Sequence, residues 1–129
     1  MEVKITIDRG NTALKGAIWD ADGNIICAMR GDDSLPAGEL ARELCAKAGG
    51  AVSAPAVAYC SVVASDRADD LASLRGMCGR LRDLDASAPM PMHIRYRTPG
   101  TLGADRIAAA LGAISLVGTE RPLLVSDIG

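Results

Sequence analysis

The sequence predicts an α/β domain on a mixed sheet: an antiparallel three-stranded meander first, then strands reached by right-handed helical crossovers. Three observations carry that prediction. Two hairpin-grade turns, Gly10-Asn11 and Asp22-Gly23, join three short apolar runs at the start of the chain. From Pro36 onward the apolar residues repeat at four, as in Leu40, Leu44 and Ala48. Residues 56–63 then form an unbroken apolar run, the pattern of a strand covered on both faces.

Taken in order, residues 2–8, 14–19 and 25–29 read as the strands of the meander. Ser34 is placed to cap the first helix, Pro36 suits its first turn, and Gly49-Gly50 ends it. After the strand at 56–63, Ser65 is expected to cap a second helix whose stripe is Leu71, Leu74, Met77, Leu81 and Leu84. Gly76 and Gly79 would weaken that helix by up to ~1 kcal/mol each relative to Ala. Beyond the Pro-rich Ala88-Pro89-Met90-Pro91, residues 93–96 read as a short strand and Thr98-Pro99-Gly100-Thr101 as a loop. Residues 103–117 make the strongest helix, with Ile107, Leu111 and Ile114 toward a core, and Arg121-Pro122 launches a last strand over 123–126. The expected order is β-β-β-α-β-α-β-α plus one more strand.

With 129 residues, 49% hydrophobic and 23% charged, the chain suits one globular domain. Aromatic residues are only 2%, with no Phe, so aliphatic and Ala contacts must build the core. That scarcity removes the stacking platforms used to bind single-stranded nucleic acid. A formal charge of −2 with mixed signs leaves no basic stripe for phosphate backbones or acidic membranes. Neither a membrane-length apolar run nor a signal-peptide pattern is present, so a cytoplasmic location is expected. Cys27, Cys45, Cys60 and Cys78 stand 15 to 18 residues apart with a single His, His93, in the chain; they read as small buried hydrophobes. His93 reads as structural, and Trp19 and Tyr59 as core residues.

Two Asp-x-Gly tripeptides follow apolar runs, Asp8-Arg9-Gly10 after the first strand and Asp127-Ile128-Gly129 at the last residues given. A strand delivering a carboxylate to a glycine turn, twice, suggests a nucleotide–metal site built by duplication. In Asp8-Arg9-Gly10-Asn11-Thr12-Ala13-Leu14-Lys15, Gly10 permits close backbone approach and successive turn amides can face phosphate oxygens. Asn11 and Thr12 add neutral donors, and Lys15 an ammonium. Asp8 would repel phosphate alone and makes sense as a ligand of Mg²⁺ or its waters. The same residues also suit a plain hairpin, and the octapeptide alone does not decide.

A second constellation, Gly103-Ala104-Asp105-Arg106, opens the last helix. A carboxylate is favoured there by the helix dipole, which is also its plain structural reading. With the loop before it, Arg106 could serve a small acidic or polar substrate.

Together these stretches decide more than either does alone. Tyr96-x-x-Pro99-x-x-Leu102-Gly103-x-Asp105-Arg106-Ile107-Ala108, with Asp8-x-Gly10-Asn11-Thr12-x-x-Lys15, resembles the type III pantothenate kinases. Cys60-Ser61-Val62-Val63 is similar to that family's inner strand, and Asp127-x-Gly129 to the start of its second phosphate turn. The resemblance implies an actin-like ATPase (ribonuclease H-like) fold, with residues 1–120 as the amino-terminal domain and 121–129 as the first strand of a second. It implies phosphoryl transfer from ATP to the primary hydroxyl of pantothenate, giving 4′-phosphopantothenate in coenzyme A biosynthesis.

By the same resemblance, Asp8, Gly10, Asn11, Thr12 and Lys15 line the ATP phosphates. Tyr96, Gly103, Ala104, Asp105 and Arg106 contact pantothenate, with Asp105 taking the hydroxyl proton. Asp127 helps hold a monovalent cation, K⁺ or NH₄⁺, beside Mg²⁺, and the full-length family member is a homodimer. Two departures matter. Arg9 stands where such turns carry a small or aliphatic residue, and it is expected either beside the phosphates or in solvent. The Thr-Ala-x-Thr continuation of the second turn does not follow Gly129, so the chain alone is expected to be catalytically incompetent. A rival reading is a non-catalytic nucleotide- or partner-binding accessory regulator of the same family.

Overall fold

The computed structural model describes residues 2–127. Five strands form one mixed sheet: β1 (Lys4–Arg9), β2 (Ala13–Trp19), β3 (Ile25–Asp32), β4 (Ala56–Ser61) and β5 (Arg80–Asp83). Three helices join them, α1 (Ala37–Lys47), α2 (Ala64–Arg75) and α3 (Ala104–Val117), with a 3₁₀ turn over Pro99–Thr101. The strand order is β3-β2-β1-β4-β5. The meander pairs antiparallel, while β4 and β5 add to β1 in parallel. This is the mixed α/β sheet the sequence predicts.

Strand alternation assigns the two faces. Ile5, Ile7 and Arg9 of β1 are buried, while Lys4 and Thr6, alternating with them, are exposed. On the buried face, Ile5, Ile7, Leu14, Ile18, Val57 and Tyr59 pack against Leu40 and Leu44 of α1 and Leu74 of α2. The opposite face carries Thr6, Asp8, Lys15 and Cys60. It is covered only in part, where α3 packs against β4.

The ends of α1 show why these residues make a helix here. Gly49, at φ +75°, ends it in the left-handed conformation that glycine tolerates. Ser34 does not cap its start; its N–H and hydroxyl both turn back to Asp32 Oδ1. The first N–H groups of α1 are instead satisfied by α2: Ala37 N–H donates to Asp70 Oδ1 (3.1 Å) and Gly38 N–H to Ser73 Oγ (3.0 Å). The approach is close enough that a Cβ on Gly38 would stand 2.7 Å from the Ser73 carbonyl oxygen. Ser65 is no cap either, since α2 begins one residue before it at Ala64.

The structure departs from expectation most between residues 76 and 96. The second helix stops at Arg75, and Leu81 belongs to strand β5, not to a helical stripe. Gly79 explains the break. Its N–H donates to Pro55 O (3.0 Å), and a Cβ there would meet Ala54 O at 2.7 Å. Backbone packed that tightly on a neighbouring loop cannot continue a helix. Residues 93–96 form no strand, because β5 already occupies that edge of the sheet, and His93 is exposed there rather than packed in a strand. Residues 123–126 form no strand among the described residues; neither edge of the sheet pairs with them, and Leu124 is 96% exposed. No helix among the described residues is long and apolar enough to cross a membrane.

Candidate functional site

The β1–β2 hairpin carries the first candidate residues. Its tip is Asn11-Thr12, both exposed, one residue later than the turn expected from Gly10-Asn11. Gly10 N–H donates to Ala13 O (2.9 Å), so this amide closes the hairpin and is not free for a phosphate. Gly10 also lacks a positive φ, and a Cβ would come no nearer than 3.4 Å to Ala13 O. Neither backbone conformation nor crowding therefore demands glycine at this position.

Asp8 and Lys15 face each other across the hairpin, and Asp8 pairs in register with Cys60 on its other side. The Cys60 thiol donates to Asp8 Oδ1 at 3.4 Å. Burial, then the nearby carboxylates of Asp8, Asp105 and Asp83, pushes that thiol up to about 12. It is a neutral donor, not a thiolate. Cys60 is 6% exposed, as its apolar context predicts, yet it touches a candidate carboxylate; the parallel register of β1 and β4 is what reveals this.

Beside this row lies a cleft of about 620 Å³ between the open sheet face and α3. Its floor is made of small side chains, Thr6, Ala17, Ala28 and Ala58, and Ala108 of α3 forms a wall. Asp8, Lys15 and Asp105 all line it, so strand, hairpin and distant helix converge on one cavity. Asp105 stands in the first turn of α3, where its Oδ1 accepts the Arg106 N–H (2.9 Å). Gly103 directly precedes that helix, and a Cβ on it would meet Asp105 Oδ1 at 2.5 Å. The glycine thus leaves room for the carboxylate.

Other expected residues are not brought into the lining, among them Gly10, Asn11 and Thr12 of the hairpin and Gly103. Tyr96 and Arg106 are exposed outside it, and Ala104 is buried beneath the helix start. Asp127 is exposed and also outside the lining; Ile128 and Gly129, the rest of its tripeptide, lie outside the described residues. No group of three or more His, Cys, Asp or Glu side chains is arranged to hold a metal among the described residues. A single carboxylate such as Asp8 suits Mg²⁺, which keeps most of its waters and takes one or two protein oxygens.

Arg9 corrects both expectations for it. It is neither beside the hairpin tip nor in solvent, but 2% exposed on the helix-covered face. The alternation of β1 requires this, because residue 9 shares the parity of Ile5 and Ile7. Its Nε and Nη2 donate to the two carboxylate oxygens of Asp70 (2.9 and 2.8 Å), and Nη1 and Nη2 reach the carbonyls of Asp33 and Leu35. Tyr59 is core, as expected, and its hydroxyl donates to Asp70 Oδ2 (2.7 Å). Trp19 is not core; it is half-buried on the open face, where its indole N–H donates to Thr6 Oγ1 (2.9 Å).

The family model described as type III pantothenate kinase matches residues 4–129 of this chain. The chain belongs to the type III pantothenate kinase family. Relatives named type III pantothenate kinase include one from Chlorobaculum parvum (strain DSM 263 / NCIMB 8327), 31% identical over 133 residues, covering 98% of this chain and 48% of the relative. Another, from Chlorobaculum tepidum (strain ATCC 49652 / DSM 12025 / NBRC 103806 / TLS), is 31% identical over 140 residues, covering 98% and 47%. A third, from Azobacteroides pseudotrichonymphae genomovar. CFP2, is 41% identical over 59 residues, 46% of this chain and 24% of its own. The chain spans just under half the length of the two Chlorobaculum relatives. The mixed five-stranded sheet with three helices agrees with the actin-like, ribonuclease H-like domain that the pantothenate kinase motifs imply.

Proposed function

We propose that this chain is the amino-terminal part of an ATP-dependent pantothenate kinase, transferring the γ-phosphoryl group to the primary hydroxyl of pantothenate. The observation that supports this most is the convergence of Asp8, Lys15 and Asp105, from β1, β2 and α3, on one cleft. In phosphoryl transfer the protein supplies position and charge more than covalent chemistry. Asp8 and the hairpin from Gly10 to Lys15 would face the ATP phosphates. Asp105, at the start of α3, would accept the proton of the attacking hydroxyl. Gly103 gives that carboxylate its space, and Ala104, Arg106 and Tyr96, which lie outside the cleft lining, would contact pantothenate.

Mg²⁺, when bound, would neutralise phosphate charge, with Asp8 as its protein ligand directly or through water. Asp127 is the residue proposed to face K⁺ or NH₄⁺; it stands exposed outside the cleft, and one carboxylate is too small a donor set to hold that ion alone. Residues 1–120 are proposed as the first domain and 121–129 as the start of a second, with a homodimer, cytoplasmic, at full family length. Holding the phosphates in line for transfer needs turns from both domains, so turnover is expected only at that length.

The test is formation of 4′-phosphopantothenate from ATP and pantothenate, followed by mass spectrometry. It compares the 129-residue chain with its coding sequence extended to family length. Asp105→Asn should lower kcat by about a hundredfold or more. An extended protein that forms no product, or one indifferent to Asp105→Asn, would overturn the assignment.

A further inference from the structure

We propose that Lys15 and Arg30 together form an anion subsite at one end of the cleft, taking phosphoryl oxygens of a polyphosphate chain. Arg30 belongs to no motif and lies on β3, a strand to which no other candidate role attaches. It stands directly opposite Lys15 across the β2–β3 ladder, and both residues line the cleft. Side chains directly opposed on neighbouring antiparallel strands share a face, with Cβ atoms only ~5 Å apart. Two like charges at that spacing repel and weaken the pairing.

Neither cation is joined to a carboxylate by an ion pair among the described residues. Among the described residues only Arg9, held by Asp70, and Arg67, held by Asp83 and Asp85, are engaged in ion pairs; of the guanidiniums without one, Arg30 is the one that lines this cleft. Across β1, β2 and β3 the row therefore runs Asp8, Lys15, Arg30, one carboxylate against two cations. An anion seated over Lys15 and Arg30 would relieve their repulsion. The small floor of Ala17 and Ala28, one register step on the same face, leaves room for it.

The two side chains also divide the work. The arginine fork can meet two oxygens of one phosphoryl group, while the lysine ammonium acts as a compact charge on the next. The inference rests on the phosphate-handling reading of this cleft and adds Arg30 to it.

Tripolyphosphate is the probe, and its binding to the 129-residue chain is measured by calorimetry at fixed ionic strength. Arg30→Gln should weaken binding about tenfold, the loss of a charge-assisted hydrogen bond. Arg30→Lys should fall between the two, because it keeps the charge and loses the fork. Arg80→Gln removes the same charge from β5, outside this cleft, and should leave binding unchanged. No binding by the unaltered chain, no effect of Arg30→Gln, or an equal effect of Arg80→Gln would overturn the subsite. Arg30-dependent binding without pantothenate phosphorylation at family length would leave the subsite standing and overturn the kinase reading. Phosphorylation with an ATP KM indifferent to Arg30→Gln would do the reverse.

Discussion

Arg9 and Asp70, 61 residues apart in sequence, are locked by two N–H···O bonds of 2.9 and 2.8 Å and are almost wholly buried. The geometry is the fork-on-carboxylate pairing that only arginine provides. Asp70 also accepts from Tyr59 Oη and Ala37 N–H, so its oxygens have no spare capacity for water. The Asp70 hydrogen bond holds the Arg9 guanidinium above its already high ordinary value. Burial, then the bond to Asp70, likewise keeps the Tyr59 phenol well above its usual range.

Removing one member of this pair strands the other. Arg9→Met should destabilise the fold by about 3–5 kcal/mol, because the Asp70 charge remains buried without its partner. The double variant Arg9→Met/Asp70→Leu should recover much of that loss. Chemical denaturation of both proteins measures it; a single variant as stable as the parent would refute the account.

Acid sensitivity follows from the same carboxylate. Burial pushes the Asp70 carboxyl up, but hydrogen bonds from Arg9, Tyr59 and Ala37, with the Arg9 charge, outweigh it and leave a net lowering. An unfolded Asp takes its proton near pH ~3.9, the native one only at lower pH. Stability from this group is therefore complete above the unfolded value and is lost as pH falls through the native one. Denaturation midpoints taken from about pH 6 to pH 3 should fall steeply at the acid end, and Arg9→Met/Asp70→Leu should flatten the fall.

Cys60 should be the slow thiol. Only the thiolate alkylates quickly, and burial with the Asp8 carboxylate beside it keeps this group protonated. At about pH 8 in the folded chain, iodoacetamide should modify Cys60 at least ~10-fold more slowly than the half-buried Cys27. Denaturant should erase the difference. Peptide mass spectrometry reads both, and equal rates in the folded chain would contradict the Cys60–Asp8 geometry.

Gly38→Ala should cost roughly 1–3 kcal/mol, since the new Cβ falls 2.7 Å from a backbone oxygen that cannot swing away. Gly100→Ala, with nothing within 4 Å, is the matched control and should leave the thermal midpoint nearly unchanged. A Gly38→Ala protein that melts with the control would mean the two helices are not in the contact described.

At full family length, the proposed roles of Lys15 and Arg106 should separate the two substrate affinities. Lys15→Gln should raise the KM for ATP by about tenfold with little change for pantothenate, and Arg106→Gln should do the opposite. Steady-state kinetics in both substrates distinguishes this from a general loss of fold, which would move both together.

What could be read in advance divides by the range of the signal. The meander, α1 and α3 rest on local cues, such as Asp22-Gly23 with Gly23 at φ +87° and the glycine ending α1. Strand β5 was hidden because Leu81 and Leu84 continue a helical period, while the contact that stops the helix lies at Ala54 and Pro55. The Ser34 cap failed for a related reason, since α2 itself supplies the groups that finish α1; the Ser65 cap failed because α2 already begins at Ala64. Asp8, Lys15 and Asp105 are legible as motifs; the register brings the first two together, and the packing of α3 on β4 brings Asp105 to the same cavity. The side on which Arg9 lies was readable from the parity of Ile5 and Ile7; its partner was not, because nothing near residue 9 points to residue 70. Arg30 stands in none of the stretches read as motifs, and Cys60 was read only as part of an inner strand; the roles of both come into view only through the rows of the sheet.

Because the Asp70 carboxylate reaches the end of β1, the first amide of α1 and the hydroxyl of β4, those three elements share one opening event. No one of them can detach without unbinding the same two oxygen atoms. In native-state hydrogen exchange the Ala37 amide, at a helix start where fraying is the rule, should therefore exchange with the slow amides of β1 and β4. The strand end that leads into the hairpin tip is thus tied to α1, α2 and β4 through a single carboxylate.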